Sequence, residues 1–156
     1  MEIINYQELK NDVIKKLKNK KTAILATCNN NISARSLSVV NDELTIYFQT
    51  DKKFDKCKQI TNNPNVAIAA DNIQIEGIAY IIGHPFDEGN KNFLELFKKK
   101  HYISYKLYSK LKDEVVIKVD CKKIKLWIYS SGKPFRYYLY EDQKKAEREY
   151  YSPEKN

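Results

Sequence analysis

A chain of 156 residues with 42% hydrophobic residues and only four Gly and four Pro can bury one core, and its composition excludes a disordered or collagen-like polymer. The formal charge of +8 admits an anionic ligand or nucleic acid. However, Arg stands only at 35, 136 and 148, leaving 25 Lys spread along the whole chain, and specific readout of bases favours the planar Arg fork, so no specific nucleic-acid partner is expected.

No apolar run approaches the roughly 20 residues that a membrane helix needs. The opening "MEIINYQELK" lacks the basic-then-apolar order of a signal peptide. A cytoplasmic protein with no membrane partner is the expectation. Cys28, Cys57 and Cys121 are odd in number and far apart, without metal spacing, so they read as free buried thiols and no metal site is expected.

In chain order, Asn5 with Glu8 has the form of a capping box, and Tyr6, Leu9, Val13 and Leu17 recur at helical spacing, which predicts an amphipathic helix over residues 5–20. "TAILATC" (22–28) suits a buried strand and "NNN" (29–31) a turn. "ISARSLSVV" (32–40) alternates, with Arg35, Leu37 and Val39 on one face. "NDE" (41–43) is a second turn before "LTIYFQT" (44–50), so the three strands predict an antiparallel meander.

Residues 52–62 read as a helix that stops at Asn63, because Pro64 disfavours helical dihedrals before it. Strands follow at 65–70 and 73–85, and Gly77 inside the second marks a bulge or a close backbone approach. Residues 90–101 are helical and bury Phe93, Leu94 and Phe97. "EVVIKVDCKKIKLWIYS" (114–130) reads as two strands broken near Asp120, and "FRYYLYE" (135–141) as one more. No repeat or linker interrupts the pattern. It predicts one mainly β domain over residues 1–141, a small antiparallel β-barrel with helices packed outside, and a charged peripheral tail over 142–156.

No nucleophile elbow, P-loop, zinc pattern or Gly-rich dinucleotide loop is present. The two histidines, His84 and His101, give a hydrolytic triad little support. His84, at a strand end before Pro85, reads as a half-buried histidine, and nothing in its spacing marks an axial haem ligand. The stretch "TDKKFDKCKQITNNPNVAIA" (50–69) says more. Arg35 in mid-strand, Thr50 at a strand end and Lys56 early in a helix can converge into a phosphate pocket. Such a pocket needs an Arg fork, a point charge, a hydroxyl and the free N–H groups of a helix N-terminus. The bland alternative is a surface Arg beside a solvated lysine face, which is the reading for Lys52, Lys53 and Lys58.

The ordered set Arg35, Phe48 with Thr50, Lys56, Asn63-Pro64, then Ile75-Glu76-Gly77 with Ala79 resembles the pyridoxamine 5'-phosphate oxidase-like family of FMN-binding split barrels, over roughly residues 20–130. The resemblance implies a split barrel and an FMN phosphate held by Arg35, Thr50 and Lys56. It implies main-chain groups of Ser36 and Leu37 at the flavin ring edge, and a polar contact from Asn72 or Gln74. It also implies a homodimer with FMN between subunits, to which Trp127 and Arg136 contribute from the second copy. Phe54 and Asp55 stand where the family carries Ser and a basic residue. The residues that grip the substrate phosphate in true pyridoxamine phosphate oxidases have no counterpart near the C-terminus, so vitamin B6 synthesis is not expected.

The resulting expectation is an FMN-dependent oxidoreductase of unspecified substrate, taking hydride from a reduced nicotinamide. The alternatives are a haem-binding or haem-degrading relative using His84 or His101, and a non-catalytic flavin- or anion-binding module. A nucleic-acid binder would need exposed aromatics among the lysines of "KKKHYISYKLYSK" (98–110), whose tyrosines read as helix-packing residues.

Overall fold

The computed structural model describes residues 1–130 and 132–152. Ten strands form one antiparallel sheet that curls around a core without closing, a split barrel with helices outside it. Strand β1 (Glu2–Ile4) leads into helix α1 (Tyr6–Lys18). The Asn5 side chain caps this helix, accepting the Glu8 N–H at 2.9 Å. Its buried face is Leu9, Val13, Ile14 and Leu17, each contributing about 1.5–3 kcal/mol by leaving water.

Strands β2 (Thr22–Asn29) and β3 (Asn31–Ser38) form a hairpin, turned at Asn30 with φ 65°. The expected single strand over 32–40 breaks at Val39. The Val39 N–H donates to Lys21 and its carbonyl accepts from His101 Nε2 at 2.9 Å, so neither group serves a neighbouring strand. The chain restarts as β4 (Val40–Asp42), which pairs with β5 (Thr45–Asp51). The expected three-strand meander is therefore two separate ladders: β2 pairs with β3 and β6 (Asn65–Ala70), and β5 pairs with β8 (Glu114–Ser130).

Helix α2 (Asp55–Asn62) follows β5 and ends before Asn63-Pro64 as expected. It begins later than residue 52, because Asp51 closes a turn by accepting the Lys53 N–H at 2.8 Å. Strand β7 (Ile73–Ile81) stops short of residue 85, since the Val116 N–H returns to the Gly83 carbonyl rather than to Ile82, and Gly83 turns the chain at φ 93°. Its register against β8 slips between Glu76 and Gly77. A Cβ at Gly77 would lie 2.7 Å from Val119 Cγ1 and 2.8 Å from the Asp120 carbonyl oxygen, so both reasons offered for this glycine hold.

Strand β8 is one strand of 17 residues, not two. The irregularity sits at Lys122, the residue left over between Cys121 opposite Gly77 and Lys123 opposite Glu76. The first half of β8 pairs with β5 and the second with β9 (Lys133–Tyr140). The sheet then continues into β10 (Lys145–Tyr150), which pairs with β9 and β1. The segment expected as a charged tail from 142 onward thus carries a strand of the domain. Its anchor is Ala146, 1% exposed, a single small apolar residue that leaves no period among the charges.

The main core gathers Leu25, Ile46, Phe48, Ile73, Ile75 and Val119 with the buried stripe of α1. A second cluster, Val40, Phe93, Phe97 and Val116, lies under helix α3 (Lys91–Lys100), against which Leu94 packs half-buried. Helix α4 (Tyr102–Tyr108) buries none of its residues. Of its tyrosines, Tyr105 is half-buried against the second cluster, as a packing residue should be, whereas Tyr102 and Tyr108 are exposed, contrary to that reading.

Candidate functional site

Four of the expected residues, Ser36, Leu37, Thr50 and Lys56, line one groove, and Arg35 lies near enough for its charge to act on Lys56. Thr50, near the end of β5, and Lys56, in the first turn of α2, are both buried, and Lys56 Nζ donates to Thr50 Oγ1 at 2.7 Å. Together with Ser36, Leu37, Phe54, Tyr108 and Glu114 they line a groove of about 310 Å³. The Phe54 ring lies 4.7 Å from the ammonium. Arg35, on β3, is half-buried next to this groove. Its Nη1 donates to the Leu25 carbonyl at 3.1 Å and to Thr27 Oγ1 at 2.9 Å.

Arg35 and Lys56 are two neighbouring cations, both partly withdrawn from water. Burial pushes the Lys56 pKa down, and the Arg35 charge pushes the same way against Cys57, Glu114 and Asp51. Burial lowers Arg35 too, with Asp55 opposing. Among the described residues neither Lys56 nor Arg35 forms an ion pair, although nine other lysines do. Two buried or half-buried cations outside any ion pair carry a desolvation cost that an anion bound between them would offset.

The remaining expected residues lie elsewhere. Asn72 Nδ2 donates to the Trp127 carbonyl at 2.7 Å, and the Arg136 guanidinium lies 5.6 Å from the Trp127 ring. Arg136 also donates to Glu149 at 2.7 Å, while its Nε is buried with no hydrogen-bond partner among the described residues. Gln74 is exposed on the outer sheet face. The ladders place Ser36, Ile24, Ala69, Gln74 and Lys125 in one cross-strand row. Ile24, Ala69, Gln74 and Lys125 of this row floor a cleft of about 320 Å³, lined also by Ala26, Ala67, Glu76 and Lys123. One chain therefore carries two clusters, Arg35–Ser36–Leu37–Thr50–Lys56 and Asn72–Trp127–Arg136, with Gln74 on the face between them.

Three further residues belong to the first cluster. Thr27, 1% exposed, and Gln59, 9% exposed, sit behind Arg35. Glu114 lies on the groove wall, where burial and then Asp51 raise its pKa against His84 and Lys56. Thr27 had a sequence signal: it is the polar member of the inward series Ala23, Leu25, Thr27. Gln59 stands three positions after Lys56 on a helix face that also buries Cys57 and Ile60.

Both histidines are engaged by main chain. His84 Nδ1 accepts the Phe86 N–H at 3.0 Å, which leaves Nε2 to donate to the Leu111 carbonyl at 2.8 Å. His101 Nε2 donates to Val39. Among the described residues no helix is long and apolar enough to cross a membrane.

Residues 10–128 match the family described as pyridoxamine 5'-phosphate oxidase. No curated protein matches the chain by sequence. Among solved structures, General Stress Protein 26 of Bacillus anthracis str. Sterne superposes with a TM-score of 0.61 at 23% identity, over 85% of this chain and 94% of its own. Campylobacter jejuni ChuZ gives 0.72 at 15% identity, over 89% of this chain and 62% of its own. HutZ, the heme storage protein of Vibrio cholerae, gives 0.62 at 12% identity, over 73% and 90%. These likenesses carry the fold.

Proposed function

Because the chain belongs to the pyridoxamine 5'-phosphate oxidase family, we propose that it is an FMN-binding oxidoreductase acting as a homodimer. The observation that carries this reading is the pair of cations Arg35 and Lys56, neither in an ion pair among the described residues, beside Thr50 at the N-terminal turn of α2. A phosphate fits that donor set. The ammonium supplies charge, the hydroxyl a hydrogen bond and the guanidinium a fork, in a site where water screens poorly. Bound FMN would supply the redox chemistry, taking hydride from a reduced nicotinamide and passing it to a small acceptor.

The protein's part is binding and orientation. Arg35, Thr50 and Lys56 hold the phosphate, and the main chain of Ser36 and Leu37 lines the same groove for the ring edge. The separation of the Asn72–Trp127–Arg136 cluster from the phosphate cluster supports a two-fold dimer, in which one subunit's aromatic cluster completes the other's site. Two-fold pairing is the commonest symmetry among soluble homo-oligomers. The outer sheet face between the clusters, paved by Ile24, Ala69 and Ala67, offers a second copy a partly apolar surface. Flavin is favoured over haem because both histidines already donate Nε2–H to main-chain carbonyls.

The test is FMN titration by fluorescence quenching with Arg35→Ala and Lys56→Ala. Each should weaken FMN about ten- to a hundredfold, the value of a charged hydrogen bond of roughly 1.5–3 kcal/mol. Unchanged affinity in both folded variants overturns the assignment. A monomer mass by light scattering with FMN bound overturns the dimeric site.

A further inference from the structure

The Arg35 guanidinium is held by one corner only. Nη1 makes both of its hydrogen bonds to the protein. Among the described residues Nε and Nη2 have no protein acceptor, and they are not among the buried unpartnered atoms, so they face accessible space. The corner is held by a relay with a definite direction. Thr27 Oγ1 accepts from Arg35 and gives its single proton to Gln59 Oε1 at 2.6 Å. Gln59 Nε2 in turn donates to the Asn31 carbonyl and to Ser33 Oγ, both at 3.3 Å. The reverse amide orientation would set Gln59 Oε1 against the Asn31 carbonyl, two acceptors face to face, so the network selects one arrangement.

We infer that Thr27 and Gln59 are positioning residues of the anion site: they lock the inner corner of Arg35 so that its Nε/Nη2 edge stands outward as a two-pronged fork for phosphate. This inference rests on the reading that Arg35 and Lys56 grip a phosphate. The relay also crosses between elements. Gln59 lies on α2, the helix that carries Lys56, and its amide fastens that helix to the β2–β3 hairpin that carries Arg35. The two cations are thereby held in register with each other. Packing alone does not require this chemistry. Thr27 follows Ala23 and Leu25 on an inward face where Val would fill the same space without a hydroxyl to satisfy.

The experiment measures dissociation constants for FMN and for riboflavin, which lacks the phosphate, on full-length wild type, Thr27→Val, Thr27→Ser, Gln59→Leu and Arg35→Ala. Thr27→Val should weaken FMN roughly tenfold, the value of one to one and a half kcal/mol of lost orientation, and leave riboflavin within about twofold. Thr27→Ser should restore the preference for FMN. Gln59→Leu reads the same ratio from the other end of the relay, should Thr27→Val not fold. If Arg35→Ala leaves FMN affinity unchanged, the phosphate reading fails and the inference with it. If Arg35→Ala weakens FMN while the relay variants keep the wild-type FMN-to-riboflavin ratio, the inference alone fails. Equal weakening of both ligands by the relay variants marks a merely structural network and also overturns it.

Discussion

Replacing Lys56 with Met should make the ligand-free protein more stable and the FMN-saturated protein relatively less so. Lys56 is 7% exposed, has no ion pair among the described residues and donates its resolved hydrogen bond to Thr50. Burial depresses its pKa, so the folded state resists the charge that the unfolded chain accepts freely. The sign follows from proton counting. Between the depressed folded value and about 10.4 the unfolded chain binds more protons, so stability rises with pH across that window. Below the window both states carry the charge and the full penalty is present. Substituting a buried charge with an apolar residue of similar volume gains about 1–4 kcal/mol in favourable cases. Thr50 loses its donor partner, which costs about 1 kcal/mol. A net gain of roughly 1 kcal/mol raises Tm by about 2–4 °C for a domain of this size.

Ligand reverses the order. FMN at a hundred times the wild-type Kd adds about 2.7 kcal/mol to the wild type, and only about 1.4 kcal/mol to a variant binding tenfold more weakly. Greater weakening widens the gap. Differential scanning calorimetry with and without FMN should therefore show the two proteins drawing level or exchanging rank, and the rise of stability with pH above neutrality should be shallower in the variant. A variant less stable than wild type by more than about 1 kcal/mol without ligand would refute the claim that Lys56 is held at a cost for an anion.

Two further outcomes follow from named contacts. Asp55 is exposed and its charge acts on Arg35, so Asp55→Asn should tighten FMN about two- to fivefold at low salt, a gain that fades as ionic strength rises. Gly77→Ala sets a Cβ 2.7 Å from Val119 Cγ1 and 2.8 Å from main-chain oxygen. Chemical denaturation should show a loss of about 1–3 kcal/mol, and no loss would mean that the β7–β8 bulge adapts freely.

What was legible in the chain was local and periodic. The Asn5 cap, the stop at Asn63-Pro64, the bulge at Gly77 and the buried pair Phe93 and Phe97 each follow from one residue type meeting one backbone requirement. The convergence of Thr50 with Lys56 was legible for the same reason, since a strand end and the next helical turn are close in any fold. The route to Arg35 was not. Adjacency in sequence suggested that its strand lies beside 44–50, whereas Val39 spends its main-chain groups on Lys21 and His101 and the ladder divides. Strand β10 was illegible because Ala146 is its one fully buried residue. The continuity of β8 was hidden because a bulge absorbs Lys122 without ending the strand. Thr27 and Gln59 are ordinary polar residues until the fold sets them behind Arg35.

The central claim is that this groove recognises a flavin through its phosphate. The most direct measurement is a side-by-side fluorescence titration of the wild-type protein with FMN and with riboflavin. The predicted result is FMN bound at least tenfold more tightly, with that preference changing little on raising salt, because directed bonds in a partly dry site are weakly screened. Equal affinities for the two flavins, or no affinity for either, would contradict it.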